Sequence, residues 1–313
     1  MREGAAADEA VAEASRRTAS RRELGRHEHF QAISPEVGHL DEKAFQRLME
    51  EDPDEALALL ADLTGATDPK LRELARRLAG QIMVDVGRRG RARQRGIGRI
   101  TSQPFRPDGG DLDLDASMEA IAEARATAGA PDPERLRIRG WRKPGTAVCL
   151  LVDRSGSMGG RPLATSAVAA AAVALRAPAD YSVLAFGPDV VVAKAQDVPK
   201  PADRVVTDVL ALRGFGTTDL VGALRVAGGQ LQRSPAGRRI AVLLSDCRAT
   251  APGDVLGAAK ALEELCIVAP ASDADEARAL AASTGARLAL VDGPSTIPAA
   301  LAAVLGDDRS QPS

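Results

Sequence analysis

Three short runs in the chain hold residue types that could bind a hard cation. They are Asp153-Arg154-Ser155-Gly156-Ser157-Met158, Gly214-Phe215-Gly216-Thr217-Thr218-Asp219 and Ser245-Asp246-Cys247. Together they offer carboxylates and hydroxyls, and a small dication takes about six oxygens near octahedral geometry. Neutral hydroxyls satisfy such an ion without quenching its charge, so an open position can still take a carboxylate from another protein. Each run alone has a plainer reading. Asp153 could simply end a strand, Ser157 could cap the next helix, and Thr218 with Asp219 could cap another. Only the three together, in this order, point to one metal site.

The surrounding pattern would bring these runs to one edge of a sheet. Val148–Val152, Tyr181–Phe186, Val190–Val192, Ile240–Leu244, Cys266–Val268 and Arg287–Val291 are apolar, strand-like runs. Helical stretches alternate with them over Leu163–Leu175, Ala202–Leu212 and Asp219–Leu231, then from Gly253, Asp273 and Thr296. Continuous rather than alternating apolar runs imply strands covered on both faces. The predicted fold class is α/β, a Rossmann-like, mainly parallel sheet flanked by helices, with one antiparallel pair at an edge. In such sheets ligands sit beyond the carboxyl ends of the strands, where the first and third runs fall.

On these residues the chain resembles the von Willebrand factor A (VWA) family, whose metal-ion-dependent adhesion site is D-x-S-x-S, then a threonine, then an aspartate. The resemblance covers Thr146 to Leu305. It assigns Asp153, Ser155 and Ser157 to the first motif, Thr218 to the threonine and Asp246 to the last aspartate, with Mg2+ or Mn2+ as the ion. In the family the hydroxyls coordinate directly and the aspartates act partly through water. Thr217 stands where glycine is usual, and Asp219 follows the candidate threonine. Arg154 occupies a position that is often apolar, where a guanidinium could clamp an acidic partner or simply be solvated. Cys247 replaces a common glycine and reads as a small buried residue rather than a nucleophile.

Upstream, residues 1–40 have few large apolar side chains, so a mobile arm is expected. Residues 41–90 read as a helical region: Phe45, Leu48 and Met49, then Leu57, Leu59, Leu60 and Leu63, then a stripe of Leu71, Leu74, Ala75, Leu78 and Ile82, stopped near Gly87. Residues 91–140 read as a linker with a short helix at Ser117–Ala128 and an edge strand at Arg135–Trp141. Residues 141–306 are the expected VWA domain, and 307–313 a disordered tail.

Composition narrows the function. Lysines and arginines (41) nearly balance aspartates and glutamates (43), and aromatics are 2% of the chain, so a nucleic-acid or anionic-membrane partner has no general support. No apolar stretch approaches the roughly 20 residues that span a bilayer, and the acidic start lacks a signal-peptide core. Cys149, Cys247 and Cys266 lack metal-site spacing, and a cytoplasmic location is expected. No phosphate-cradling G-x-x-x-x-G-K-[ST] occurs, so the chain is not itself an ATPase. Asp111, Asp113 and Asp115 imitate half a calcium loop, but Ala116 stands where glycine is required, and the run reads as solvated linker. His27, His29 and His39 fall in the expected arm, away from any site.

Similar intracellular proteins with a helical N-terminal part include CoxE-like proteins and magnesium chelatase D-type subunits, which work with AAA+ ATPases of the MoxR or chelatase I type. The resemblance therefore implies a non-enzymatic adaptor whose metal takes an Asp or Glu from such an ATPase or its client. The alternative is RNA binding through Arg88–Arg99, suggested by Ro-type proteins that also carry a VWA domain. Metal-assisted hydrolysis at Asp153 and Asp246 ranks last, because the sequence offers no general base beside them.

Overall fold

The computed structural model describes residues 1–88, 99–105, 111–127, 129–142, 145–154, 160–212 and 216–306. It divides into two compact units, Met1–Ala92 with Thr146–Ser313, and Arg93–Gly145.

The larger unit begins with six helices: α1 (Ala5–Ala14), α2 (Arg21–Leu24), α3 (Phe30–Ile33), α4 (Glu42–Glu51), α5 (Pro53–Leu63) and α6 (Pro69–Arg88). Their starts are written in the sequence. Ser20 forms a capping box with Glu23, Asp41 accepts from the Lys43 and Ala44 amides, and Asp52 accepts from Glu55 ahead of Pro53 at the first turn.

The first forty residues differ from the expected mobile arm. They hold three helices, α1 to α3, and Leu24, Phe30 and Ile33 are buried in the main core. Arg21 stacks over the Phe30 ring at 4.9 Å and donates to the Ser34 and Pro35 carbonyls. Alone, the segment carries too little apolar surface to offset its chain entropy. Here a few anchors suffice, because the partner surface is supplied by the rest of the unit.

The smaller unit holds β1 (Arg99–Pro104), β2 (Asp111–Leu112), α7 (Leu114–Ala126) and β3 (Arg137–Arg142), with strand order β1-β3-β2 and antiparallel pairing. The segment expected to be a linker thus has its own sheet, and the expected edge strand is its central strand. Ile138 is buried while Arg137 and Arg139 are exposed, which is the alternation the sequence displays. Asp113 is not a solvated linker residue. It caps α7 through the Ala116 amide and pairs with Arg139 at 3.2 Å, and Asp115 pairs with the same arginine at 2.9 Å.

The larger unit resumes with β4 (Thr146–Asp153), α8 (Gly160–Arg176), β5 (Tyr181–Phe186), β6 (Val190–Lys194), α9 (Ala202–Ala211), α10 (Leu220–Gln232), β7 (Arg238–Leu244), α11 (Val255–Lys260), β8 (Glu264–Pro270), α12 (Asp275–Thr284), β9 (Arg287–Val291), a 3₁₀ turn (Pro294–Thr296) and α13 (Ile297–Leu305). The sheet order is β6-β5-β4-β7-β8-β9; β6 runs antiparallel to β5 at one edge and the other pairings are parallel. The predicted α/β class and its antiparallel edge pair are what the structure has.

Helix α8 explains its own composition. It lies between the sheet and the N-terminal helices, with Ala167, Ala169, Ala170, Ala171 and Ala172 all buried. Small side chains let helices approach closely, and Gly87 of α6 is the tightest point: a Cβ there would stand 3.0 Å from the Ala172 amide nitrogen. Gly87 therefore serves helix contact, and it also stands one residue before Arg88, the last residue of α6.

Candidate functional site

Strand β4 is central, and its register sets Val152 beside Leu244 of β7. Both strands end at the same level, so Asp153 and Ser245 emerge as neighbours at the sheet's carboxyl edge. The Ser245 hydroxyl donates to Asp153 Oδ2 at 2.6 Å. It also accepts the Cys247 amide at 2.9 Å, while the Ser245 amide donates to the Val268 carbonyl. Asp246 follows, its Oδ1 accepting the Arg248 amide at 3.0 Å.

Asp153, Ser245 and Asp246 line one cavity of about 390 Å³, completed by Arg161, Thr165 and Asp292 among others. Two strand-end carboxylates and a hydroxyl thus share one space, and the like charges of Asp153 and Asp246 favour a cation between or beside them. Among the described residues no three His, Cys, Asp or Glu side chains gather as a metal group; the donors that share the cavity here are two carboxylates and the Ser245 hydroxyl. An all-oxygen donor set suits a hard dication.

Thr218 is buried, and its backbone is bound to the loop that follows β7. Its amide donates to Thr250 Oγ1 at 2.7 Å, and its carbonyl accepts the amides of Thr250 and Ala251. This links the threonine loop to the segment carrying Asp246, although Thr218 is not among the residues lining the cavity. Thr217 is exposed. Asp219 is a helix cap, accepting the Gly222 amide at 2.8 Å. Ser155 and Ser157, with Gly214 and Phe215 of the second run, lie outside the described residues, as do the residues between Arg88 and Arg99.

Arg154 is neither a solvated side chain nor an outward clamp. Its side chain is buried, its amide donates to the Phe186 carbonyl, and its guanidinium pairs with Asp189. Burial lowers its pKa from the ordinary arginine value, and Asp189 opposes that shift. Asp189 also receives Arg2 at 2.9 Å, beside the point where residue 2 bridges edge strand β6. Cys247 has φ 67°, a left-handed conformation that explains why glycine is usual at this position in the resembled family. Its thiol is buried and its pKa pushed up to about 12, chiefly by burial and then by Asp246 and Asp153.

Sequence reasoning missed three partners. Ser245 stood in a quoted run without a role, although a hydroxyl directly after a strand and before the aspartate was a readable signal. Asp189 and His27 gave no local signal. His27 lies between Glu55 (2.8 Å) and Asp62 (2.9 Å) of α5, both far along the chain.

Comparison with known proteins supplies the family. No curated protein matches the chain. Among solved structures it is similar to the manganese-loaded TRAP protein of Plasmodium vivax, with 16% identity and TM-score 0.41, over 50% of this chain and 72% of that one. A von Willebrand factor type A protein from Catenulispora acidiphila gives 18% and 0.41, over 53% and 43% of the two chains. The mussel-byssus proximal thread matrix protein 1 with a zinc-occupied MIDAS motif gives 12% and 0.40, over 51% and 47%. The chain thus spans less than half of the latter two. Among the described residues no helix is long and apolar enough to cross a membrane. A family model described as VWA domain containing CoxE-like protein matches residues 86–305, more than half of the chain, and the chain belongs to that family.

Proposed function

We propose that the carboxyl edge of the six-stranded sheet holds Mg2+ or Mn2+ and that the protein uses the ion to capture an Asp or Glu side chain of a partner protein. The observation that carries this reading is the shared cavity of Asp153, Ser245 and Asp246, at adjacent strand ends of a VWA-family chain. Asp153 and Asp246 would hold the ion beside the Ser245 hydroxyl; the family resemblance adds Thr218, which stands outside the cavity lining, and the hydroxyls of Ser155 and Ser157 as neutral donors. The ion would supply an open coordination position with residual positive charge.

The role is that of an adaptor rather than an enzyme. The cysteine beside the site has a raised pKa and is buried, which suits a packed residue and not a nucleophile. An AAA+ ATPase of the MoxR type, or its client, is the partner that the family resemblance suggests. A cytoplasmic setting agrees with three free, buried cysteines. RNA binding through Arg88–Arg99 rests on that sequence alone.

The test is capture of partner proteins by the full chain with and without EDTA. Capture that disappears with chelation and returns with Mg2+ supports the reading; capture that survives EDTA contradicts it.

A further inference from the structure

The cavity that Asp153, Ser245 and Asp246 share extends past the ends of β8 and β9, to Pro270, Val291 and Asp292, and the first turns of α8 form another wall. Several of its polar groups are already engaged within the fold. The Ser245 hydroxyl serves Asp153 and the Cys247 amide, and the Thr165 and Ser166 hydroxyls donate to the Arg161 and Pro162 carbonyls of their own helix at 2.8 and 2.9 Å. Arg161 is different. It is exposed and is the one cation among the described residues of the lining. Among the described residues it has no ion-pair partner, although Asp153, Asp246 and Asp292 line the same space.

Nothing local explains an arginine at this position. It is the second residue of α8, and the first turn of a helix favours acidic side chains, because the amides there carry partial positive charge. Arg161 therefore weakens its own helix and gains no carboxylate in return. Proteins break a local rule of this kind mainly at functional sites.

The charges of the cavity select its occupant. Without a cation, its carboxylates repel an anion. A dication at Asp153 and Asp246 offsets their charge, and Arg161 then stands as a second positive group in the same cavity. A carboxylate has two oxygens. The open position of the ion takes one, and a guanidinium, with its planar fork of donors, suits the other.

We infer that Arg161 is the second grip on the captured carboxylate, so that the cavity takes an Asp or Glu side chain held between the ion and the Arg161 guanidinium. The inference rests on the proposed metal-dependent capture and adds to it a residue that reads the partner.

The probe is a blocked tripeptide with glutamate between two glycines, compared with its glutamine analogue, titrated into the full chain loaded with Mn2+. Binding is read from water-proton relaxation, which changes as a carboxylate displaces water from Mn2+; the Mn2+ affinity and melting temperature of each protein are also recorded. The parent should prefer the glutamate peptide. Arg161→Gln is expected to bind it about fivefold more weakly, near the upper range for an exposed charge pair, with a gap that narrows as salt is raised. Arg161→Lys, which keeps the charge and loses the fork, should fall between the two. Asp292→Asn removes a like charge from the cavity and should bind the peptide no more weakly than the parent. Arg161→Gln should keep the parent's Mn2+ affinity and melt no lower, since α8 loses an unfavourable charge. Parent-like peptide affinity in Arg161→Gln, or a loss that ignores salt and comes with a lower melting temperature, overturns the inference alone. A parent that binds no Mn2+, or does not distinguish the two peptides, removes the metal-dependent reading and the inference with it.

Discussion

The Ser245 hydroxyl binds Asp153 Oδ2 at 2.6 Å across the junction of β4 and β7, joining two strand ends 92 residues apart in sequence. The same oxygen accepts the Cys247 amide, so one hydroxyl orients a candidate metal ligand and shapes the turn beside it. Ser245→Ala removes both contacts and leaves a buried amide without its acceptor. A loss of about 1–3 kcal/mol in denaturant unfolding is expected, together with weaker metal binding by calorimetry. Unchanged metal affinity would show that Asp153 needs no such support.

The left-handed backbone at Cys247 predicts a size order that hydrophobicity alone would not. A non-glycine residue there is strained by about 1–2 kcal/mol, while a small buried side chain contributes about as much through burial. Cys247→Gly should therefore lie within about 1 kcal/mol of the parent. Cys247→Val adds a branched side chain to an already strained residue and should lose about 2 kcal/mol or more. Urea unfolding of the two variants decides it, and a valine variant as stable as the glycine one would refute the strain.

His27 predicts a pH dependence of stability. Its pKa is raised by hydrogen bonding to Asp62 first and then to Glu55, against the opposing effect of burial. Raising the folded-state pKa above the unfolded value of about 6.5 means that the protonated ring stabilises the fold fully below that pH. This contribution is lost as pH rises through the folded-state pKa. The melting temperature of the parent should fall over that interval more than that of His27→Gln. Parallel pH profiles for the two proteins would contradict the assignment.

The main sheet was readable in the sequence because strands covered on both faces must be largely apolar: Tyr181–Phe186 is buried at every residue and has the same bounds in the sequence reading and in the structure, and the edge strand Arg287–Val291, only partly buried, keeps its bounds as well. The strand ends bearing Asp153 and Asp246 were readable for the same reason. What stayed hidden depends on distant partners. His27 looked idle because Glu55 and Asp62 are 28 and 35 residues away, and Arg154 read as a partner clamp or a solvated side chain because Asp189 is 35 residues away. Leu24, Phe30 and Ile33 are too sparse to form a core alone, and only the surface they cover gives them one. Gly87 read only as a helix stop because sequence shows the missing side chain and not the α8 backbone against it.

The central claim is that Asp153 holds a divalent cation at the sheet's carboxyl edge. Its most direct test is calorimetric titration of Mg2+ and Mn2+ into the parent and Asp153→Ala, with circular dichroism to compare the folds. Saturable binding in the parent and none in an equally folded Asp153→Ala is the predicted result. Binding by the variant with the parent's affinity would contradict the claim.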